Sequence, residues 1–138
     1  MDQTSSRLDS MTLSVTVNRN WRQLYDEFWR PEEFPRWASG LSDASLTNVD
    51  GKWRAKGPEG PIEIIFSGHN AYGIMDHRVR LNDDRTVYIP LRVIENGDGA
   101  EVLLTLFRQP GMSDVRFAGD ADWVRRDLER LRELAEQP

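Results

Sequence analysis

The sequence predicts an α+β fold: a curved antiparallel sheet of about seven strands wrapped round a long C-terminal helix, with two short helices after the first strand. Three observations carry this. From Ser113 to Glu136 the residues Phe117, Ala121, Val124, Leu128, Leu131 and Ala135 recur on a 3.6-residue period, with Arg125, Arg126, Glu129, Arg132 and Glu133 opposite. Between residues 45 and 108 the chain alternates apolar and polar residues in short runs. Those runs are punctuated by Asp50-Gly51, Gly57-Pro58-Glu59-Gly60, Asn96-Gly97-Asp98-Gly99 and Pro110-Gly111, which are turn sequences.

In chain order, residues 1–11 are small and charged and read as a flexible leader, with a single domain over 12–138. Thr12 to Val17 alternates as a strand, with Leu13, Val15 and Val17 on one face. Asn18 or Asn20 can cap a short helix whose stripe is Trp21, Leu24, Tyr25 and Phe28. Pro31 suits the first position of a second short helix through Phe34, and Pro35 is expected to end it. Strands follow at about 45–49, 52–55, 61–68, 73–81, 86–95 and 100–108. Ser113 is placed to cap the final helix.

Composition excludes several function classes. A chain of 138 residues can bury one core without covalent staples. It has no cysteine, so disulfides and thiol chemistry are absent, and two histidines make a histidine-rich metal site a poor expectation. No metal site and no cofactor is expected. A net charge of −5 argues against nucleic acid as a partner, since phosphate binding needs a basic footprint. No apolar run approaches the roughly 20 residues that membrane insertion requires, and the leader lacks the apolar centre of a signal peptide. The expected location is cytoplasmic. The glycines at 57, 60, 68 and 73 precede no helix with a lysine-threonine pair, so no phosphate loop is present.

Paired strand residues share a face, so loop lengths decide which side chains turn inward. Val87, Ile89, Leu91 and Val93 form a wholly apolar odd set, and a four-residue connection at 96–99 places Val102, Leu104 and Leu106 with them. Phe66 falls opposite Met75, and the odd set Met75, His77, Val79 and Leu81 also turns inward if the turn near Asn82-Asp83-Asp84 has odd length or a bulge. Tyr88 and Arg92 then face solvent with Asp76; an even turn would bring Tyr88 and Arg92 into the cavity instead. His77 is the one titratable group placed inside. Asp76-His77 is not read as a catalytic dyad, because neighbours on a strand point to opposite faces. His77 is expected to be a buried, hydrogen-bonded histidine, with a polar anchor or acid/base role as the functional alternative. His69 shares parity with Glu63 and Ser67 and belongs to an exposed edge. Trp37 follows the paired helices, as a wedge fixing them to the sheet or as a stacking surface, and Trp123 borders the stripe of the last helix.

On these residues the chain resembles a known group. The matching segments are Gly73-Ile74-Met75-Asp76-His77, the run from Ile89-Pro90-Leu91-Arg92 to Gly99, the run from Thr105-Leu106-Phe107 to Ser113, and the run from Trp123-Val124-Arg125-Arg126 to Leu131 in the tail. Together with the order of elements they resemble the helix-grip fold of the SRPBCC group, which includes START lipid-transfer domains and birch-pollen-allergen proteins. Within that group the chain looks like the bacterial polyketide cyclase-like branch, over about residues 12–136. The resemblance implies a hydrophobic small molecule or lipid as ligand, held between sheet and helix by Trp37, Phe66, Met75, His77, Val79, Ile89, Leu91, Leu104, Phe117 and Trp123. It carries over no catalytic motif. A cyclase or dehydratase using His77 as acid/base is the enzymatic alternative. A protein-interaction module, using an outward face at Leu103, Thr105 and Phe107 that would equally serve a homodimer, is the third.

Overall fold

The computed structural model describes residues 7–41, 46–57, 60–81 and 84–138. The leader expected at 1–11 therefore falls partly outside the described residues. The elements are β1 (Ser10–Val17), α1 (Trp21–Phe28), 3-10 helices at Pro31–Arg36 and Ser39–Leu41, β2 (Thr47–Val49), β3 (Lys52–Gly57), β4 (Gly60–Phe66), β5 (His77–Arg80), β6 (Thr86–Ile89), β7 (Leu91–Asn96), β8 (Gly99–Phe107) and α2 (Asp114–Ala135). All strand pairs are antiparallel, in the orders β1-β8-β7 and β2-β3-β4-β5-β6.

Local chemistry fixes the element boundaries. Asn20 caps α1, its Oδ1 accepting from the amides of Arg22 and Gln23 at 3.0 and 3.2 Å. Ser113 caps α2 by accepting from the Arg116 amide at 3.0 Å. Asp50 and Gly51 both have positive φ, 54° and 81°, the geometry of a tight two-residue hairpin turn between β2 and β3. The segment after Pro31 is a 3-10 helix, and it continues through Pro35 to Arg36 instead of stopping at Phe34. The strand that the sequence expected to begin at Ser45 is described from Thr47, residues 42–45 lying outside the described residues.

The strand expected over 86–95 is interrupted at Pro90, and eight strands result instead of seven. The register nevertheless runs through the interruption: Ile74 bridges Arg92, and His77 pairs with Ile89, so Asp76 stands opposite Pro90. Proline has no N–H to give the ladder, and the chain bends there. On one side of Pro90, β7 pairs with β8; the last backbone bond in that register is Thr105 N–H to Pro90 O, 3.1 Å. On the other side, β6 leaves β8 and pairs with β5 alone. One curved surface thereby divides into two sheets that open away from each other.

The core lies where α1, the Pro31–Arg36 helix and the second half of α2 meet the inner faces of β1, β7 and β8. Leu24, Phe28, Phe34, Leu91, Val93, Val102, Leu128 and Leu131 are at most 2 % exposed. Burial of such side chains contributes about 1.5–3 kcal/mol each. Gly73, with φ 73°, sits so close to β7 that a Cβ would lie 2.1 Å from Val93 O, and its own carbonyl accepts from the Val93 amide.

Candidate functional site

The divergence of β6 from β8 leaves a cleft of about 630 Å³ between the larger sheet and the first half of α2. Ligand pockets commonly measure about 300–1,000 Å³, so the space is large enough for a small organic molecule. Four groups of residues bound it. The β3–β4 hairpin supplies Gly57, Gly60, Pro61 and Ile62; β5 and β6 with their connection supply Val79, Leu81, Arg85, Val87, Tyr88 and Ile89. The end of β8 and the following loop contribute Thr105 to Phe107 and Gln109 to Ser113, and α2 contributes Arg116, Asp120, Trp123 and Val124.

The sheet wall is built from cross-strand rows. Trp53, Ile64, Val79 and Val87 form one row by direct pairing, and Phe66, His77 and Ile89 form the next. Leu81 N–H bonds to Arg85 O at 2.8 Å, so three positions connect the strands and Arg85 continues the inward set of Val87 and Ile89. That is the odd-length turn on which the inward placement of His77 depended. Ile89, Leu106 and Val124 pack directly on the buried core and form the floor. Arg85 and Arg116 stand at the outer end, the former at the hairpin end and the latter in the first turn of α2.

Three of the residues expected to contact a ligand, Val79, Ile89 and Trp123, line this cleft. Met75, Leu91 and Leu104 are buried in the core behind it. Trp37 is also buried, 4 % exposed, against Phe34, and its indole N–H has no hydrogen-bond partner among the described residues. Phe66 and His77 both pack on Phe34, with ring centroids 4.8 and 5.4 Å away. Phe117 is half-buried on α2 and does not border the cleft. Trp123 is 44 % exposed and its indole N–H donates to Ser39 Oγ. Ser39 in turn gives its backbone N–H to Asp127 Oδ1 at 3.3 Å, fastening the Ser39–Leu41 turn to α2 beside the cleft. Burial of the Asp127 carboxyl raises its pKa, against the opposing bonds from Ser39.

His77 is half-buried, and its Nδ1 lies 3.3 Å from Met75 O, its only hydrogen-bond partner among the described residues. Desolvation in this aromatic surrounding pushes its pKa below the ordinary histidine value, outweighing the Met75 carbonyl and Asp76, so the ring is neutral near pH 7. Asp76 points to the other face. Its Oδ1 accepts from Arg92 Nε and Leu91 N at 3.0 and 2.9 Å, and its Oδ2 from Arg92 Nη2 and Tyr88 Oη at 2.8 and 2.7 Å. Burial opposes ionisation of Asp76, but these donors together hold its carboxyl below the usual range. The Tyr88 pKa is raised chiefly by its bond to that carboxylate. Tyr88 also stacks on Phe107 at 6.3 Å, across the gap between β6 and β8, and carries Arg78 over its ring at 4.4 Å.

The sequence placed Tyr88 and Arg92 on the outer face as solvated residues. Both are instead bound to Asp76, and Tyr88 also borders the cleft. The signal that could have found this cluster is an aspartate at the register position of a proline, flanked by a tyrosine and an arginine of the same parity. The β8–α2 loop and Arg116 were also missed, since their meeting depends on how far β6 turns away from β8.

No protein-family profile and no curated protein sequence matches the chain. Solved structures do. The Aha1 dimer of Colwellia psychrerythraea superposes with a TM-score of 0.69 at 10 % identity, covering 94 % of this chain and 97 % of that one. Ara h 8.0201 gives a TM-score of 0.64 at 10 % identity, over 93 % and 97 % of the two chains. The fold is a helix-grip fold. DynU16, from the dynemicin biosynthetic locus, gives 0.66 at 15 % identity over 94 % of this chain and 48 % of its own length. At these identities the likeness concerns the fold alone. Among the described residues no helix is long and apolar enough to cross a membrane, and no cluster of three or more His, Asp or Glu could hold a metal ion.

Proposed function

We propose that this protein is a small-molecule or lipid-binding member of the SRPBCC group, of the polyketide cyclase-like branch, and that the cleft between β5–β6 and α2 is its ligand site. The observation that carries the reading is the cleft itself, about 630 Å³ with a floor of Ile89, Leu106 and Val124 continuous with the core. Such a surface releases ordered water when an apolar guest covers it, at about 25 cal/mol per Å². The catalytic alternative has less support. A general acid/base must reach the proton it moves, and among the described residues His77 bonds only the carbonyl two residues away and stands beside Ile89 without bordering the cleft. A protein-interaction face at Leu103, Thr105 and Phe107 also has less support, because all three are half-buried and Thr105 and Phe107 are engaged by Thr12 and Tyr88.

The test is displacement of an environment-sensitive apolar dye, with amide chemical shifts mapping the site. Ligand-induced shifts are expected at Val79, Val87, Ile89, Leu106 and Val124, and Val87→Phe is expected to weaken binding by filling the space. Shifts confined elsewhere, or undiminished binding by a folded Val87→Phe variant, would sink the proposal.

A further inference from the structure

We infer that the guest of this cleft is an apolar monocarboxylic acid, its chain on the Ile89–Leu106–Val124 floor and its carboxylate at the outer end beside Arg116 and Arg85. The inference rests on the cleft being the ligand site. In a chain of net charge −5, the described residues of this cleft's wall include two guanidiniums, Arg85 and Arg116, and one carboxylate, Asp120. The charges are also segregated by depth. Arg85 follows Val87 and Ile89 outward along one sheet face, and Arg116 stands two turns before Val124 along α2 with Asp120 between, whereas Ile89, Leu106 and Val124 pack on the core. An apolar molecule with a charged head meets complementary surface at both ends of such a site.

Arg116 has bonding capacity to spare. Its Nε reaches Asp120 Oδ1 at 3.4 Å, and among the described residues neither Nη has a partner. A guanidinium offers a planar pair of donors that fits a carboxylate side-on, which favours a carboxylate over a hydroxyl head. Arg85 already has a partner within the protein, and it adds to the site by its position. The positive end of the α2 macrodipole adds to the same potential. A cationic head would instead meet two guanidiniums.

Three amphiphiles with one chain length separate head from tail: decanoate, 1-decanol and decyltrimethylammonium, titrated at pH 8 below their aggregation concentrations. Decanoate is expected to bind tightest and decyltrimethylammonium weakest, with roughly a three- to tenfold step between acid and alcohol, in keeping with a partly solvated charge-assisted bond. The acid-to-alcohol ratio is expected to fall in Arg116→Gln and again in Arg116→Gln/Arg85→Gln, and to fall with added salt. Equal affinity for the three heads, or a ratio unchanged in the double variant, overturns the carboxylate assignment and leaves the cleft reading standing. Failure of all three to bind overturns both.

Discussion

Asp76 and Arg92 form a bidentate ion pair, at 3.0 and 2.8 Å, beside Pro90, where the chain facing residues 74–80 is interrupted between β6 and β7. The same carboxylate accepts from the Leu91 amide, the first amide after Pro90, and from the Tyr88 hydroxyl. A side chain thus takes the first amide after the break, and it grips both β6 and β7 where they part. Asp76→Asn retains one acceptor and loses the ion pair. It is expected to cost roughly 1–3 kcal/mol in urea unfolding, within the range for a charge-assisted bond with partial exposure.

The pH dependence at Asp76 follows from its lowered folded-state pKa. The unfolded carboxyl takes its proton first as pH falls below about 4, so the stabilisation is complete above that value and lost through the lower folded pKa. Asp76→Asn should therefore flatten the acid limb of the stability curve. An acid limb identical to that of the parent protein would show that the pair contributes nothing.

His77 produces a slope in a different window. Its folded pKa is lowered by desolvation, so the unfolded state protonates first as pH falls below about 6.5. Stability from keeping the ring neutral is complete above that value and declines towards the lower folded pKa. His77→Phe keeps an aromatic ring against Phe34 and Phe66 and gives up a 3.3 Å contact. The variant is expected to fold within about 1 kcal/mol of the parent at pH 7.5, as shape-conserving core changes do, and to lose stability less steeply between pH 6.5 and 5. Chemical denaturation at several pH values measures this; an unaltered slope would mean that the imidazole titrates as it does in the unfolded chain.

Asp127 behaves in the opposite sense. Its raised pKa means that the folded state holds the proton longer as pH rises above about 4, so the ionised carboxylate weakens the fold at neutral pH. Asp127→Asn keeps an oxygen to accept from the Ser39 amide. It is expected to be neutral or to stabilise by up to about 1 kcal/mol at pH 7, and to remove the fall in stability across the window above pH 4. A loss of more than that amount would assign the ionised carboxylate a supporting role.

What the sequence disclosed and what it hid divide along a physical line. Alternation over 73–81 and 86–93 placed Val79, Val87 and Ile89 on one inner face, because a half-buried strand must segregate its side chains. The stripe on α2 was readable for the same reason, and Ala121, Leu128, Leu131 and Ala135 are buried. The interruption at Pro90 was hidden, since Ile89 and Leu91 keep their alternation across it and only the direction of the strand changes. The cleft depends on that change of direction. Its floor was legible, as Ile89 and Leu106 on the inward strand sets and Val124 on the helix stripe. Its charged end was not, because nothing in local pattern tells that Arg85 and Arg116 border one space.

Two glycines test how tightly the two ends of the structure are built. At Gly73 a methyl group would stand 2.1 Å from Val93 O, at a φ of 73° that L-residues disfavour. The obstacle is backbone, which cannot yield without breaking the Gly73–Val93 hydrogen bond. Gly73→Ala is expected to cost more than about 3 kcal/mol, strain and clash adding. At Gly119, in the exposed first half of α2, a methyl group meets nothing within 4 Å. Gly119→Ala should stabilise by about 1 kcal/mol, the difference in helix propensity. Because Gly119 lies between Arg116 and Trp123, its added stiffness should fall on the half of α2 that borders the cleft. Amide exchange is therefore expected to slow from Phe117 to Asp122 in Gly119→Ala and to stay unchanged from Leu128 to Leu134. Equal slowing along the whole helix would show that α2 opens as one unit, and that no softer segment covers the cleft.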